Sequence, residues 1–209
     1  HRSAAAWRAA RELRPRSGTE GAGAEYEWFP AVLVPAEQLR ILAYNRVVAD
    51  LAGRPAAAVL AALGRIGRLA PTDDPVPPRP ATFCFYLAGG WHRLELAEAS
   101  IDRADPVRSL DVSLLQERVL GPVLGIVDQR TDRRVDFVGG IRGTRALAAR
   151  VDSGEAALAV SLHPASVEQL MAVADAGQIM PPKSTWFEPK LLSGLFVHPF
   201  DADPAQSGR

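Results

Sequence analysis

Thr82 to Leu96 reads T-F-C-F-Y-L-A-G-G-W-H-R-L-E-L, two alternating runs set around a glycine pair. Period-two alternation of aromatic and aliphatic residues predicts strands over Thr82–Leu87 and Trp91–Leu96, joined through Ala88, Gly89 and Gly90 into a β-hairpin. Phe83, Phe85 and Leu87 then face one way and Cys84 and Tyr86 the other, so the chain's single cysteine reads as packing. Downstream, Ser109–Leu120 has helical spacing, with Leu110, Val112, Leu114, Leu115 and Leu120 apolar and Gly121-Pro122 expected to end it. Val135–Val138 reads as a strand closed by Gly139 and Gly140, Thr144–Val151 as a helix and Ala156–Leu162 as a strand. Ser166–Ala174 reads as a helix with Ser166 as its cap and Glu168 in its first turn.

Upstream, Ser3 can cap a helix over Ala4–Leu13 that Pro15 stops. A polar glycine-rich loop follows at Ser17–Ala24. Tyr26–Val34 reads as a buried strand, with Pro30 placing it at an edge or bulge. Leu39–Tyr44 reads as extended, with helix as the alternative, and Val47–Leu51 and Pro55–Leu63 read as helices. Arg68–Pro80 holds five prolines and two adjacent aspartates, an extended connector and the expected internal boundary. Interleaved strands and helices predict an α/β (α+β) fold, a mixed sheet with flanking helices. The expected division is residues 1–70, residues 81–200, and a mobile tail at residues 201–209.

The chain has 209 residues, of which 47% are hydrophobic, enough for a full core. Lysine plus arginine and aspartate plus glutamate both number 24, so no global field draws it to nucleic acid or anionic lipid, and any anion site is local. Cys84 alone excludes an internal disulfide or a cysteine metal cluster within one chain, and fits a reducing cytoplasm. No apolar run approaches the roughly 20 residues needed to span a bilayer, and no leader pattern precedes the first helix. His92, His163 and His198 are far apart with no metal-ligand spacing. Arg130, Asp132, Arg133, Arg134 and Asp136 read as a solvated turn.

Chemistry concentrates at Ile179–His198, I-M-P-P-K-S-T-W-F-E-P-K-L-L-S-G-L-F-V-H. Lys183, Ser184, Thr185 and Lys190 supply cations and hydroxyls beside Pro181 and Pro182, whose fixed φ angles hold a loop in one shape, an arrangement that suits an oxyanion. It is not a P-loop, because K-S-T follows a proline pair instead of G-x-x-x-x-G. The plainer reading has both lysines solvated, with Trp186, Phe187 and Leu191 packing a terminal strand. At the start of the chain, His1 and Arg2 precede a helix whose first N–H groups favour anions, or they form an unremarkable terminus. Tyr44, Asn45 and Arg46 form a polar trio: Arg46 could clamp a phosphate, or Asn45 could cap a helix with Arg46 solvated.

The M-P-P-K-S-T run with its aromatic pair and P-K, together with the opening H-R-x-A-A-A, resembles the prokaryotic family known as domain of unknown function 1015. Glu188 departs from the pattern, standing where the family has an aromatic residue or another. Family members run about twice this length, with the opening motif near their middle, so the resemblance implies a C-terminal half whose first partner is a missing N-terminal half. The family's D-G-H-H-R segment is similar to the phosphate motif of the ParB/sulfiredoxin-like superfamily, of which His1 and Arg2 are the remnant here. That likeness implies that residues 1–70 are part of a nucleotide-binding domain. It also implies ATP or CTP with Mg²⁺ as ligand, and phosphoryl transfer to a small hydroxyl metabolite such as free serine, with His1, Arg2, Asn45, Arg46, Lys183, Ser184, Thr185 and Lys190 around the phosphates. The alternative is a nucleotide-responsive interaction module of the chromosome-partitioning kind, without enzymatic activity. DNA is an unlikely partner on this composition, for no basic recognition helix is present.

Overall fold

The computed structural model describes residues 6–9, 12, 28–192 and 194–198. The chain divides into two units, Leu39–Glu188 and a second made of His1–Gln38 with Pro189–Arg209, and each is taken by itself. The larger unit runs β1 (Arg40–Leu42), β2 (Tyr44–Val48), α1 (Ala56–Ile66), β3 (Arg68–Pro71), β4 (Thr82–Leu87), β5 (Gly90–Glu95), α2 (Asp111–Leu115), α3 (Gly121–Leu124), β6 (Val135–Gly139), α4 (Gly143–Asp152), β7 (Leu158–Leu162), α5 (Val167–Asp175) and β8 (Trp186–Glu188). Six strands form one sheet in the order β3-β5-β4-β7-β2-β6, and β1 pairs with β8 in a separate ribbon. Every pairing is antiparallel, so the fold is α+β and the expected mixing of strand directions is absent among the described residues.

Alternation along the hairpin builds the two faces of this sheet. Phe83, Phe85 and Leu87 join Val48, Leu158, Val160 and Leu162 on one face, packed with Val59 and Leu63 of α1 and with Leu115 and Leu124. Val47, Tyr86, Val138 and Ala159 form the other, covered by Leu147 of α4. Phe83 and Phe85 are completely buried, each worth about 2–3 kcal/mol of transfer free energy. Cys84 is free and buried, and burial raises its thiol pKa, so it packs as the alternation predicts.

Several elements differ from their sequence reading. Val47 and Val48 lie in β2, not in a helix, because β2 pairs with β6 on one side and β7 on the other, and two-sided pairing suits β-branched residues. Asn45 therefore caps no helix. The Arg68–Pro80 connector begins with a strand, β3, which pairs with β5. Since β2 and β3 lie in the same sheet as β4 to β7, the expected division at residues 70–81 gives way to one near residues 38 and 188. The helix entered at Asp111 does not stop at Gly121-Pro122. It widens into a π turn at Gln116–Leu120, where the Gly121 N–H bonds back to the Gln116 carbonyl, and the loosened winding admits Pro122 inside α3. α5 begins as predicted, with Ser166 and Gln169 in a reciprocal capping box.

In the second unit, residues 28–35 form no strand, and Leu33 is 94% exposed where the sequence reading buries it. Prolines at 30 and 35 remove two ladder donors from that stretch. Residues 6–9 are helical and Trp7 lies 5.9 Å from Phe29 between ring centroids. His1, Arg2, Ser3 and the tail at 201–209 lie outside the described residues. No helix among the described residues is long and apolar enough to cross a membrane.

Candidate functional site

β2 carries Tyr44, Asn45 and Arg46 into the sheet, and the structure gives each a distinct task. Asn45 is buried, and its Oδ1 accepts from the Leu162 N–H at 3.1 Å, extending the β2–β7 ladder past its last strand pair. Arg46 is fully buried. Its Nε donates to Gln129 Oε1 at 2.7 Å, Nη1 to the Tyr44 carbonyl at 2.6 Å and Nη2 to the Lys183 carbonyl at 3.1 Å. The guanidinium lies 4.5 Å above the Phe137 ring. Burial pushes its pKa down to about 9, so it stays charged at neutral pH. A rigid fork spends its donors on three acceptors here, which makes Arg46 the pin that ties the 181–185 loop to the sheet.

Pinned from below, the loop holds a shape set by its own residues. Pro181 and Pro182 fix two φ angles, the Ser184 hydroxyl donates to the Pro181 carbonyl, and Lys183 takes φ +59°, a left-handed conformation that costs a side-chain-bearing residue about 1–2 kcal/mol. Ser184 is buried and Thr185 half-buried, whereas Lys183 is exposed. The lysine Nζ lies 5.3 Å from the Tyr44 ring centroid, and Lys183 makes no ion pair among the described residues.

Tyr44 is one wall of a cleft of about 510 Å³, lined also by Asp136, Arg142, Arg150, Glu155 and Trp186. Its ring meets Trp186 edge-on at 5.3 Å. Gly139 makes room for that indole: a Cβ there would sit 2.4 Å from the Trp186 ring, and one on Gly140 would sit 2.7 Å from the Ala43 carbonyl oxygen. Gly139→Ala is accordingly expected to push Trp186 out of register with Tyr44 at a cost of about 1–3 kcal/mol, read as a changed tryptophan emission and a lower melting midpoint. Across the cleft, Arg150 bonds to Asp136 at 2.6 Å and Glu155 at 2.5 Å. Burial alone would raise the Asp136 pKa, but the Arg150 hydrogen bond, the Phe137 N–H and the charges of Arg150 and Lys183 bring it below the usual carboxylate range. Arg142, at the start of α4, is exposed and makes no ion pair among the described residues.

Of the residues named from sequence, the structure brings Arg46, Lys183, Ser184 and Thr185 together, places Asn45 within the sheet, and puts Lys190 in the other unit. The sequence reading missed Tyr44 as a cleft wall, together with Asp136, Arg142, Arg150 and Trp186. The Gly139-Gly140 pair was the available signal, since paired glycines after a strand mark a close approach. No group of three or more potential metal ligands occurs among the described residues.

A family model described as "Protein of unknown function (DUF1015)" matches residues 1–113. No curated protein matches the chain. Among solved structures, it is similar to a free serine kinase mutant in complex with AMP, at 11% identity and TM-score 0.44, over 76% of this chain and 58% of that one. It is similar also to a conserved hypothetical protein from Pyrococcus furiosus, at 13% identity and TM-score 0.44, over 76% of this chain and 61% of that one. The chain thus spans about three-fifths of the length of these structures.

Proposed function

We propose that this chain, which belongs to the DUF1015 family of proteins of unknown function, binds a nucleotide in the Tyr44–Trp186 cleft and transfers a phosphoryl group to a small hydroxyl metabolite such as free serine. The observation that carries the reading is a cleft that sets Arg142, which makes no ion pair among the described residues, beside the aromatic rings of Tyr44 and Trp186, with the Lys183 Nζ 5.3 Å from the Tyr44 ring. Phosphate oxygens need cations with spare donors, and a base needs a flat apolar face. Phosphoryl transfer asks mainly for positioning and charge stabilisation, which a rigid lysine loop supplies. In this reading the donor is ATP or CTP with Mg²⁺. Asp136 and Glu155 are already paired with Arg150, so neither carboxylate is free for the ion and the nucleotide's own phosphates would hold it. A buried free thiol at Cys84 fits a cytoplasmic protein.

Titration with Mg–ATP or Mg–CTP, followed by tryptophan emission or calorimetry, tests the reading. Lys183→Ala should weaken nucleotide binding tenfold or more, at about 1.4 kcal/mol per tenfold. Lys183→Gly should weaken it equally while raising stability by up to about 1 kcal/mol, because glycine accepts the left-handed backbone. Unchanged nucleotide affinity in both variants would remove Lys183 from the site.

A further inference from the structure

A second polar pocket lies behind the same loop. It is a small pocket of about 10 Å³, room for one water-sized group, lined by Asp111, His163, Gln169 and Ser184 among the apolar Leu110, Val112 and Met180. Asp111 is only 8% exposed. Its Oδ1 accepts from the Ala81 N–H at 2.8 Å, but its Oδ2 is buried without a partner among the described residues. An unsatisfied carboxylate oxygen at a cavity wall is costly unless something enters to donate to it, and a native protein rarely keeps such a group without use. Only a small hydrogen-bond donor fits the space.

We propose that this pocket seats the hydroxyl of the phosphoryl acceptor and that Asp111 takes its proton, an assignment that rests on the phosphotransfer reading above. Ser184, which lines this pocket, stands two residues before Trp186, which lines the cleft, so one segment borders both the hydroxyl seat and the phosphate cleft. In the step, the acceptor O–H bond breaks and its proton passes to Asp111 Oδ2. The acceptor oxygen bonds to the terminal phosphorus of the nucleoside triphosphate, and the bridging P–O bond breaks to release nucleoside diphosphate. Asp111 then returns its proton to solvent. The titratable and charged groups bearing on Asp111 are His163 across the pocket and Arg103, whose charge acts against the effect of burial. Burial raises the Asp111 pKa to about 7, and burial lowers that of His163, so near neutral pH a basic carboxylate faces a neutral imidazole.

The test compares L-serine with L-alanine, which lacks only the hydroxyl, by calorimetry on the whole chain at pH 8. Serine should bind at least tenfold tighter than alanine. Asp111→Asn, which keeps the acceptor for Ala81, should abolish that preference. Equal binding of the two amino acids, or a preference that survives in Asp111→Asn, overturns the proposal. Turnover separates it from the reading beneath it. A serine preference lost in Asp111→Asn, with no phosphoserine formed from Mg–ATP or Mg–CTP, leaves the hydroxyl seat standing and sinks phosphotransfer. Phosphoserine formed undiminished by Asp111→Asn does the reverse. When both hold, wild-type turnover rises through about pH 7 and falls at least 100-fold in Asp111→Asn, with nucleotide affinity unchanged.

Discussion

Arg46→Met will lower the unfolding free energy by about 3 kcal/mol and the melting midpoint by about 10 °C. Methionine matches the length and apolar volume of the arginine stem, so packing is nearly preserved and the loss comes from hydrogen bonds. Gln129 Oε1 and the Tyr44 and Lys183 carbonyls lose their shared donor. Each buried acceptor left bare costs about 1–3 kcal/mol, which outweighs the relief of removing a buried charge. Arg46→Lys will be nearly as damaging, because one ammonium cannot reach three acceptors that a planar fork spans. Thermal melts of both variants against wild type decide the matter. A methionine midpoint within about 2 °C of wild type would mean that the guanidinium pins nothing.

Raising the pH from 4 to 8 will cost the protein stability at Asp111, and Asp111→Asn will remove that cost. Burial raises the Asp111 pKa from 3.8 to about 7, so the folded state favours the neutral acid. Below the unfolded value both states are protonated and the group contributes nothing to the pH dependence. Between 3.8 and 7 the folded chain holds the extra proton, and stability falls with each step of pH. Above 7 the penalty is complete, roughly 4 kcal/mol at 1.36 kcal/mol per pKa unit. Denaturant titrations across this range should show wild type losing ground to Asp111→Asn from acid to alkaline pH. Parallel curves for the two proteins would show that the carboxyl ionises without penalty.

The hairpin was legible because its alternation is local: Thr82–Leu87 pairs with the next strand through a two-residue turn, and both periods are written in consecutive residues. The Ser166 cap of α5 was legible for the same reason, although the reciprocal bond from Gln169 was not read. β2 was not, because Val47 and Val48 owe their conformation to β6 and β7, about 90 and 110 residues downstream, and intrinsic preference yields to such pairing. The fate of Arg46 was hidden likewise. A sequence shows an arginine beside an asparagine, but not that Gln129 and the Lys183 carbonyl will surround it. Lys183 stood out through its prolines, whereas Arg142 and Asp136 looked like ordinary surface charges until β6 and α4 brought them to one cleft. Asp111 stands in a helix first turn, where an acidic residue is ordinary, and only burial of its second oxygen marks it.

The strand order gives β7 a role in biosynthesis. Strands β3, β5 and β4 form one backbone-paired group and β2 with β6 another, and β7, lying between β4 and β2, is the strand through which the two groups bond. During synthesis the first group can pair once Glu95 has left the ribosome and the second once Gly139 has, yet they share no ladder until Leu162 follows. Until then β4 and β2 each present an open edge, a template for pairing with a neighbouring nascent chain. Nascent chains stalled before residue 158 should therefore need a holdase, and release from it should coincide with the emergence of five residues, Leu158 to Leu162.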